Sequence, residues 1–202
     1  MEHQPKSFLT ICGVSELNIL NGGKFSHIIS LVDPEYPEIS DFDSFRNHRR
    51  TIIKFHDIIE CEPGKIAPTQ EHIVEILRFG SAVSGLSVGQ VDGQLLVHCH
   101  MGVSRSTAAT LSLLAQAYPD WQEDYLFETL RQIRPQAWPN SLMISHADTL
   151  LAREGRLMAA LSRHYSHQIK NDPYFYDWMS RLGRTRELEM ALNPHAPCLT
   201  SA

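Results

Sequence analysis

The sequence predicts a single α/β domain in which helices flank a central, mainly parallel sheet. Three observations lead there. Short β-branched runs alternate with stretches of helical periodicity, the pattern of a layered α/β domain. One run, Gln94-Leu95-Leu96-Val97-His98, is nearly all apolar, as a strand covered on both faces must be. Directly after it comes the most apolar helical stretch of the chain, Ser106 to Tyr118.

The elements follow in order. Phe8 to Ile11 reads as a first strand ended by Gly13, and Ser26 to Val32 as a second, stopped by Asp33-Pro34. Pro34 to Asp43 is rich in proline and acids, has no periodicity and reads as a loop. Thr51 to Phe55 forms a third strand, followed by His56-Asp57 and a loop carrying Pro63-Gly64. Thr69 is the N-cap of a helix that runs to about Ser84, and Gly89 to Gly93 make a turn. After the apolar strand and helix, Asp120 caps a helix from Trp121 to Ile133 that ends at Pro135. Ser141 to about His167 is helical again, with a break at Gly155. Residues 1–168 are expected to form the domain and 169–202 a C-terminal extension. Its aromatics (Tyr174, Phe175, Tyr176, Trp178) pack onto the domain, its last ten residues are loose, and it carries no functional signal.

Composition narrows the chemistry. The chain has 202 residues, 43% of them hydrophobic and 20% charged, enough for one buried core. A net charge of -5 disfavours a nucleic-acid partner, which calls for a basic excess. There is no apolar run long enough to span a bilayer, and the start lacks the basic and then apolar stretches of a secretion signal, so a cytoplasmic protein with no membrane partner is expected. Cys12, Cys61, Cys99 and Cys198 are too few and too scattered for a disulfide scaffold or a zinc pattern.

Chemistry concentrates in His98-Cys99-His100-Met101-Gly102-Val103-Ser104-Arg105-Ser106. A loop between a buried strand and a buried helix ends where unpaired N–H groups and the positive end of the helix dipole converge, a preformed anion site. Gly102 permits the torsions that turn the amides of residues 100–105 inward as a nest. Arg105, six residues past Cys99, adds a planar fork matched to two phosphate oxygens. The same field favours the thiolate of Cys99, and a thiolate at the base of a phosphate cradle can attack phosphorus. His98 is placed to orient the loop, and Ser106 to hydrogen-bond the sulfur as it leaves. The spacing of Cys and Arg alone is weak; the flanking His, Gly and Ser in a strand-loop-helix setting make it strong.

A phosphate ester also needs a proton donor for its leaving oxygen. Asp57, just past the third strand, reaches the same carboxyl edge of a parallel sheet as the Cys99 loop. Asp33 is the runner-up, and Asp41, Asp43, Glu60 and Glu62 remain open.

This stretch resembles the HCxxGxxR[S/T] signature of the cysteine-based protein tyrosine phosphatases, nearest to the compact dual-specificity branch. Arg134-Pro135-Gln136-Ala137-Trp138-Pro139-Asn140 is similar to the RP-then-PN segment of that branch, and Lys54-Phe55-His56-Asp57-Ile58 is similar to small bacterial members. The resemblance covers about residues 25–160. It implies a sheet of four or five strands and two-step hydrolysis through a cysteinyl-phosphate, with Cys99 as nucleophile, Arg105 as clamp and an acid in the loop that holds Asp57. It implies no metal or other cofactor. Phosphotyrosine or mixed phosphoprotein substrates are favoured, since His100 and Met101 stand where phosphoinositide-directed relatives carry basic residues; a small phosphate ester also fits.

Three rival readings remain. His98, His100, His56 and Asp57 could be metal ligands, but no established ligand spacing accompanies them. The cradle could bind phosphate without turnover, as in a pseudophosphatase. An arsenate reductase-like enzyme, or a redox-protected phosphatase, would pair Cys99 with Cys12 or Cys61 in a disulfide.

Overall fold

The strand Gln94–Cys99 (β4) lies in mid-sheet, and its apolar run is explained by what covers it. In the computed structural model, which describes residues 9–20, 23–39, 42, 45, 48–84 and 94–194, β4 is flanked by Leu9–Gly13 (β1) and Phe25–Val32 (β2). Arg49–Lys54 (β3) pairs with the outer side of β2, giving the order β1-β4-β2-β3 with every pairing parallel. Successive β4 side chains enter opposite cores, as a period of two requires. Leu95, Val97 and Cys99 join the larger core, and Leu96 joins a smaller one with Leu17, Phe25 and Ile28.

Helices fill the larger side. Gln70–Ser84 (α1) connects β3 to β4, and Arg105–Ala117 (α2) follows β4 with every residue from Arg105 to Ala115 buried. Glu123–Ile133 (α3), Ser141–Leu150 (α4) and Arg156–Asn171 (α5) complete this layer. Tyr174–Arg181 (α6) and Thr185–Leu192 (α7) add Phe175, Met179, Leu188 and Ala191 to the same core. The smaller side is covered by a 3₁₀ segment, Val14–Leu20, and by Ile39, Phe42 and Phe45. The acidic loop after β2 is thus pinned by three apolar side chains that its lack of periodicity conceals.

Several boundaries differ from the sequence expectations. β3 starts at Arg49 and ends at Lys54; Phe55 leaves the strand although its N–H still donates to Val32 O. α3 begins at Glu123 because Trp121 stacks on Tyr118, ring centroids 3.9 Å apart, and occupies a turn instead of a helix. The break between α4 and α5 is wider than one glycine. Ala152, Glu154 and Gly155 all take positive φ, and Asp148, within α4, caps α5 by accepting from the N–H groups of Gly155 and Leu157. α5 continues to Asn171, past the boundary expected near 168. Phe8, Asp41, Asp43, the turn at 89–93 and the last residues, Cys198 among them, lie outside the described residues.

Parallel pairing brings the carboxyl ends of the strands to one edge. Gly13 pairs with Cys99 and Val32 with Lys54, so the loops starting at Asp33, Phe55 and His100 emerge side by side.

Two buried histidines set an acid limit on this fold. His164 donates from Nε2 to Ala137 O (2.9 Å) and accepts at Nδ1 from Arg131 (3.1 Å), which describes a neutral ring. Burial, chiefly, pushes His164 and His98 each down to about 3. Between the ordinary histidine value near 6.5 and that value, only the unfolded chain takes up the proton, so stability falls as pH drops below about 6.5. Urea denaturation at pH 7 and pH 5 should show a smaller acid loss in His164→Gln than in the wild type; equal losses would refute the assignment.

Candidate active site

Cys99 ends β4 with 2% of its surface exposed, and the chain turns through His100–Ser104 before α2 begins at Arg105. Gly102 makes the turn with φ 68°, and a Cβ there would come within 2.4 Å of the Cys12 carbonyl carbon and 2.5 Å of Gly13 N. Both torsion and space demand glycine.

The loop carbonyls are tied to the scaffold on the outside. Val14 N–H donates to His100 O (3.0 Å) and Trp138 N–H to Val103 O (2.9 Å). Arg134, just past α3, donates from Nε to Gly102 O (2.9 Å) and from Nη2 to Met101 O (3.2 Å). It also donates to both oxygens of Glu16, at 2.9 and 2.7 Å, and from Nη1 to Ile11 O at 3.5 Å. In a trans peptide the N–H points opposite its C=O. Carbonyls held outward therefore turn the amides of Met101 to Ser104 into a bowl above the Cys99 sulfur.

Arg105 closes one side of the bowl. Its Nη1 donates to Asp33 Oδ1 and to Phe55 O, each at 2.6 Å, while its buried Nε has no hydrogen-bond partner. Asp57 Oδ2 is 3.9 Å from that Nε. Ser106 Oγ lies 3.1 Å from Cys99 Sγ. Ser104, at the N-cap of α2, makes no side-chain cap; its hydroxyl donates to Asp57 Oδ1 (2.7 Å), leaving the first-turn amides of α2 to other partners.

The two candidate acids are held differently. Asp33 accepts Arg105 Nη1 and has His100 Nδ1 3.7 Å away, so both of its oxygens face cations or potential cations. Asp57 has its hydrogen bonds on one oxygen: Oδ1 accepts from Ser104, from Asn140 Nδ2 (2.9 Å) and from Arg184 Nη2 (2.6 Å), while Oδ2 has only the longer approach to Arg105 Nε. Burial alone would raise the Asp57 carboxyl, but Arg184 and then Arg105 outweigh it and hold it below its usual range.

The other expected residues are placed as follows. His98 Nε2 meets Ser30 Oγ at 2.6 Å across the β2–β4 pairing, so its contact is with the sheet and not with the loop it was expected to orient. His100 packs against Tyr36 with ring centroids 4.3 Å apart and planes tilted by 36°, on the rim. The exposed Met101 also borders the opening. Cys12 lies in the core on the opposite face of the sheet from Cys99, which argues against a disulfide between them, and burial pushes its thiol up to about 12. Cys61 is exposed and free. Glu60 and Glu62 are absent from the walls of the cavity. Among the described residues no three His, Cys, Asp or Glu side chains are grouped to hold a metal ion, and no helix is long and apolar enough to cross a membrane.

The bowl opens into a cavity of about 630 Å³, with Cys99 and Arg105 among its lining residues. One wall comes from residues 56–58 and 63–65, another from Trp178, Met179, Leu182 and Arg184. The C-terminal segment, in which no functional signal is visible in the sequence, thus lines the site. Asn140 and Arg184 were missed as site residues. Asn140 stands in the quoted Pro-Asn pair, but nothing local to Arg184 points to Asp57.

No family model matches the chain, and no curated protein matches its sequence. Solved structures do match. The phosphatase DUSP15 is 23% identical with a TM-score of 0.52, over 77% of this chain and 90% of its own. The human tyrosine phosphatase-like serine/threonine/tyrosine-interacting protein is 18% identical with a TM-score of 0.51, over 73% and 93%. The active form of Tk-PTP is 20% identical with a TM-score of 0.50, over 72% and 92%. The chain has the α/β fold of the cysteine-based tyrosine and dual-specificity phosphatases.

Gly102→Ala tests the bowl. A non-glycine residue at this φ costs about 1–3 kcal/mol before any clash. That strain is shared by the free and bound protein, but the clash with Cys12 and Gly13 forces the loop to shift and displaces its amides, so tungstate affinity, measured by calorimetry, should fall by about tenfold or more. Unchanged affinity would mean that the bowl does not bind oxyanions.

Proposed function

We propose that this protein is a phosphatase that hydrolyses phosphate monoesters, with Cys99 as nucleophile and Asp57 as proton donor. The observation that carries the proposal is the division of labour at Asp57. Oδ1 is fixed by three donors, whereas Oδ2 faces Arg105 Nε, itself buried and unpartnered. A phosphate oxygen bound to that Nε would lie beside Oδ2, where a leaving oxygen needs its proton.

The chemistry takes two steps. Cys99 attacks phosphorus as the thiolate, Asp57 gives a proton to the departing ester oxygen, and the alcohol or phenol leaves. Water then attacks the cysteinyl-phosphate, Asp57 takes a proton from it, and the P–S bond breaks with Ser106 Oγ donating to the departing sulfur. Arg105 and the inward amides of residues 100–105 hold the charge on the equatorial oxygens; a single preorganised donor of this kind contributes about 10²–10³ in rate. Arg184 and Arg105 keep Asp57 ionised in the empty site. A bound phosphate dianion offsets the field of Arg105 and favours the protonated acid that the first step needs. Asp33 is assigned to anchoring Arg105 instead of proton transfer, because its Oδ1 accepts the guanidinium.

A cavity of about 630 Å³ with apolar side chains (Trp178, Met179, Leu182) on one wall suits an aryl ester such as phosphotyrosine in a protein, acted on in the cytoplasm; a small phosphate ester is the alternative. No metal or other cofactor enters either step. Residues 1–168 would carry the nucleophile and acid, and 169–202 the wall beside them. A pseudophosphatase is the less favoured reading, because both a nucleophile and an acid face the bowl. The arsenate reductase-like reading is not favoured by the position of Cys12 on the other sheet face.

With an aryl phosphate substrate, Cys99→Ser should abolish turnover and still bind phosphate, and surviving turnover would remove Cys99 from the nucleophile's role. Asp57→Asn should lower kcat by about 10²–10⁴. If kcat stays at the wild-type value, the proton donor is another group.

A further inference from the structure

We propose that Arg184, at the start of α7, is a positioning residue that fixes the Asp57 carboxylate for proton transfer, so that the C-terminal helices complete the catalytic site. This rests on the phosphatase reading above.

The geometry is specific. Arg184 is 5% exposed, and Gly183 (φ 71°) lets the chain turn sharply between α6 and α7, with Arg184 N–H closing onto Met179 O at 3.0 Å. Nη2 donates to both the backbone carbonyl (2.8 Å) and the side-chain Oδ1 (2.6 Å) of Asp57. A single nitrogen thus fixes the main chain and the side chain of the same residue, which restricts rotation of the carboxylate. The same nitrogen lies 3.4 Å from Ser104 Oγ, the loop hydroxyl that also donates to Asp57.

Arg184 is itself held from behind. Glu187, fully buried one turn along α7, has Oε1 3.7 Å from Arg184 Nη1. Glu187 also accepts from Trp138 Nε1 (2.7 Å) and from Ser141 N–H (2.8 Å), groups of the segment that supports the Cys99 loop. Desolvation disfavours the Arg184 charge, but Asp57 and Glu187 outweigh it and keep the guanidinium protonated. A buried cation is expensive to strip of its partners, and the shortest hydrogen bonds of the Arg184 guanidinium go to Asp57.

The charged and titratable groups facing Asp57 are Arg105 from α2, Arg184 and Glu187 from α7, Tyr165 from α5, and His100 from the loop. Arg184 Nη2 is committed to the Asp57 carbonyl and Oδ1, whereas Arg105 Nε has no hydrogen-bond partner, so a phosphate would draw on Arg105 and leave the hold of Arg184 on Asp57 in place. Removing Arg184 frees the carboxylate to rotate and raises its proton affinity, since an adjacent cation lowers a carboxyl by about 1–3 units.

The test compares Arg184→Met and Arg184→Lys with wild type in the full-length chain, using an aryl phosphate. Arg184→Met should lower kcat by about tenfold to a hundredfold, the scale of a misplaced catalytic group. KM should change little, tungstate binding should persist, and the alkaline limb of the kcat–pH profile should move up by about one unit or more. Arg184→Lys, which keeps the charge, should restore the position of that limb and part of kcat. In an Asp57→Asn background, Arg184→Met should cost nothing further, because its effect passes through Asp57. An unmoved limb, or losses that multiply in the double variant, would overturn the proposal. Should Arg184→Met fail to fold, the same cycle with Arg184→Lys decides the question. If Asp57→Asn alone leaves kcat intact, the acid assignment fails and this proposal falls with it; if only the cycle is additive, the phosphatase reading stands and Arg184 is structural.

Discussion

A guanidinium with 2% of its surface exposed is the constraint around which this site is organised. Burying a cation costs several kcal/mol unless partners surround it. Arg105 has Asp33 and the Phe55 carbonyl on Nη1, and Asp57 at longer range across Nε. The compensation is strong on one edge and incomplete on the other. That asymmetry leaves Nε without a hydrogen-bond partner beside Asp57, which is what the proposed binding of an oxyanion there draws on. It also explains why β2 and β3 must be neighbours: Asp33 leaves the end of one and Phe55 the end of the other, and parallel pairing of Val32 with Lys54 sets them side by side.

The backbone of the loop is governed by a second constraint of the same kind. Four consecutive carbonyls find partners on Val14, Arg134 and Trp138, so the amides have nowhere to turn but inward. Arg134 in turn depends on Glu16, and Trp138 on Glu187. Side chains distant in sequence therefore set the curvature of seven residues. The glycine at 102 is a necessary part but not the cause; it permits the positive φ of the turn, and its absent Cβ lets β1 approach.

The legible parts of this protein were those whose physics is local. An apolar run covered on both faces, a helix start beside a cysteine, and Cys99, Gly102, Arg105 and Ser106 at short fixed spacings can all be read along the chain. The order of β-strands at the carboxyl edge followed from parallel topology, and with it Asp57 as a neighbour of the bowl. What stayed hidden was non-local. Asp148 lies within α4 yet caps α5, Ile39, Phe42 and Phe45 cover a core from within an acidic loop, and Arg184 reaches Asp57 across most of the chain. None of these has a periodic or spacing signal, because each is defined by a partner brought near only by folding.

His98 illustrates the opposite error. Its place beside Cys99 invites a role in the loop, yet side chains alternate along a strand, so a residue adjacent to Cys99 must face the other core. There it meets Ser30, to which Arg50 also donates at 2.7 Å, and burial with that cation nearby keeps it neutral. The same alternation places Cys12 away from Cys99 although their strands pair directly. Asp57 escapes this logic because it lies beyond the end of β3, where backbone direction is no longer set by the sheet. Its orientation has to come from outside, and Ser104, Asn140 and Arg184 converge on one of its oxygens from three separate elements. The proton transfer we propose for Asp57 needs one oxygen immobile and the other accessible. Distributing the restraint over α2, α4 and α7 achieves that without any single contact closing the bowl.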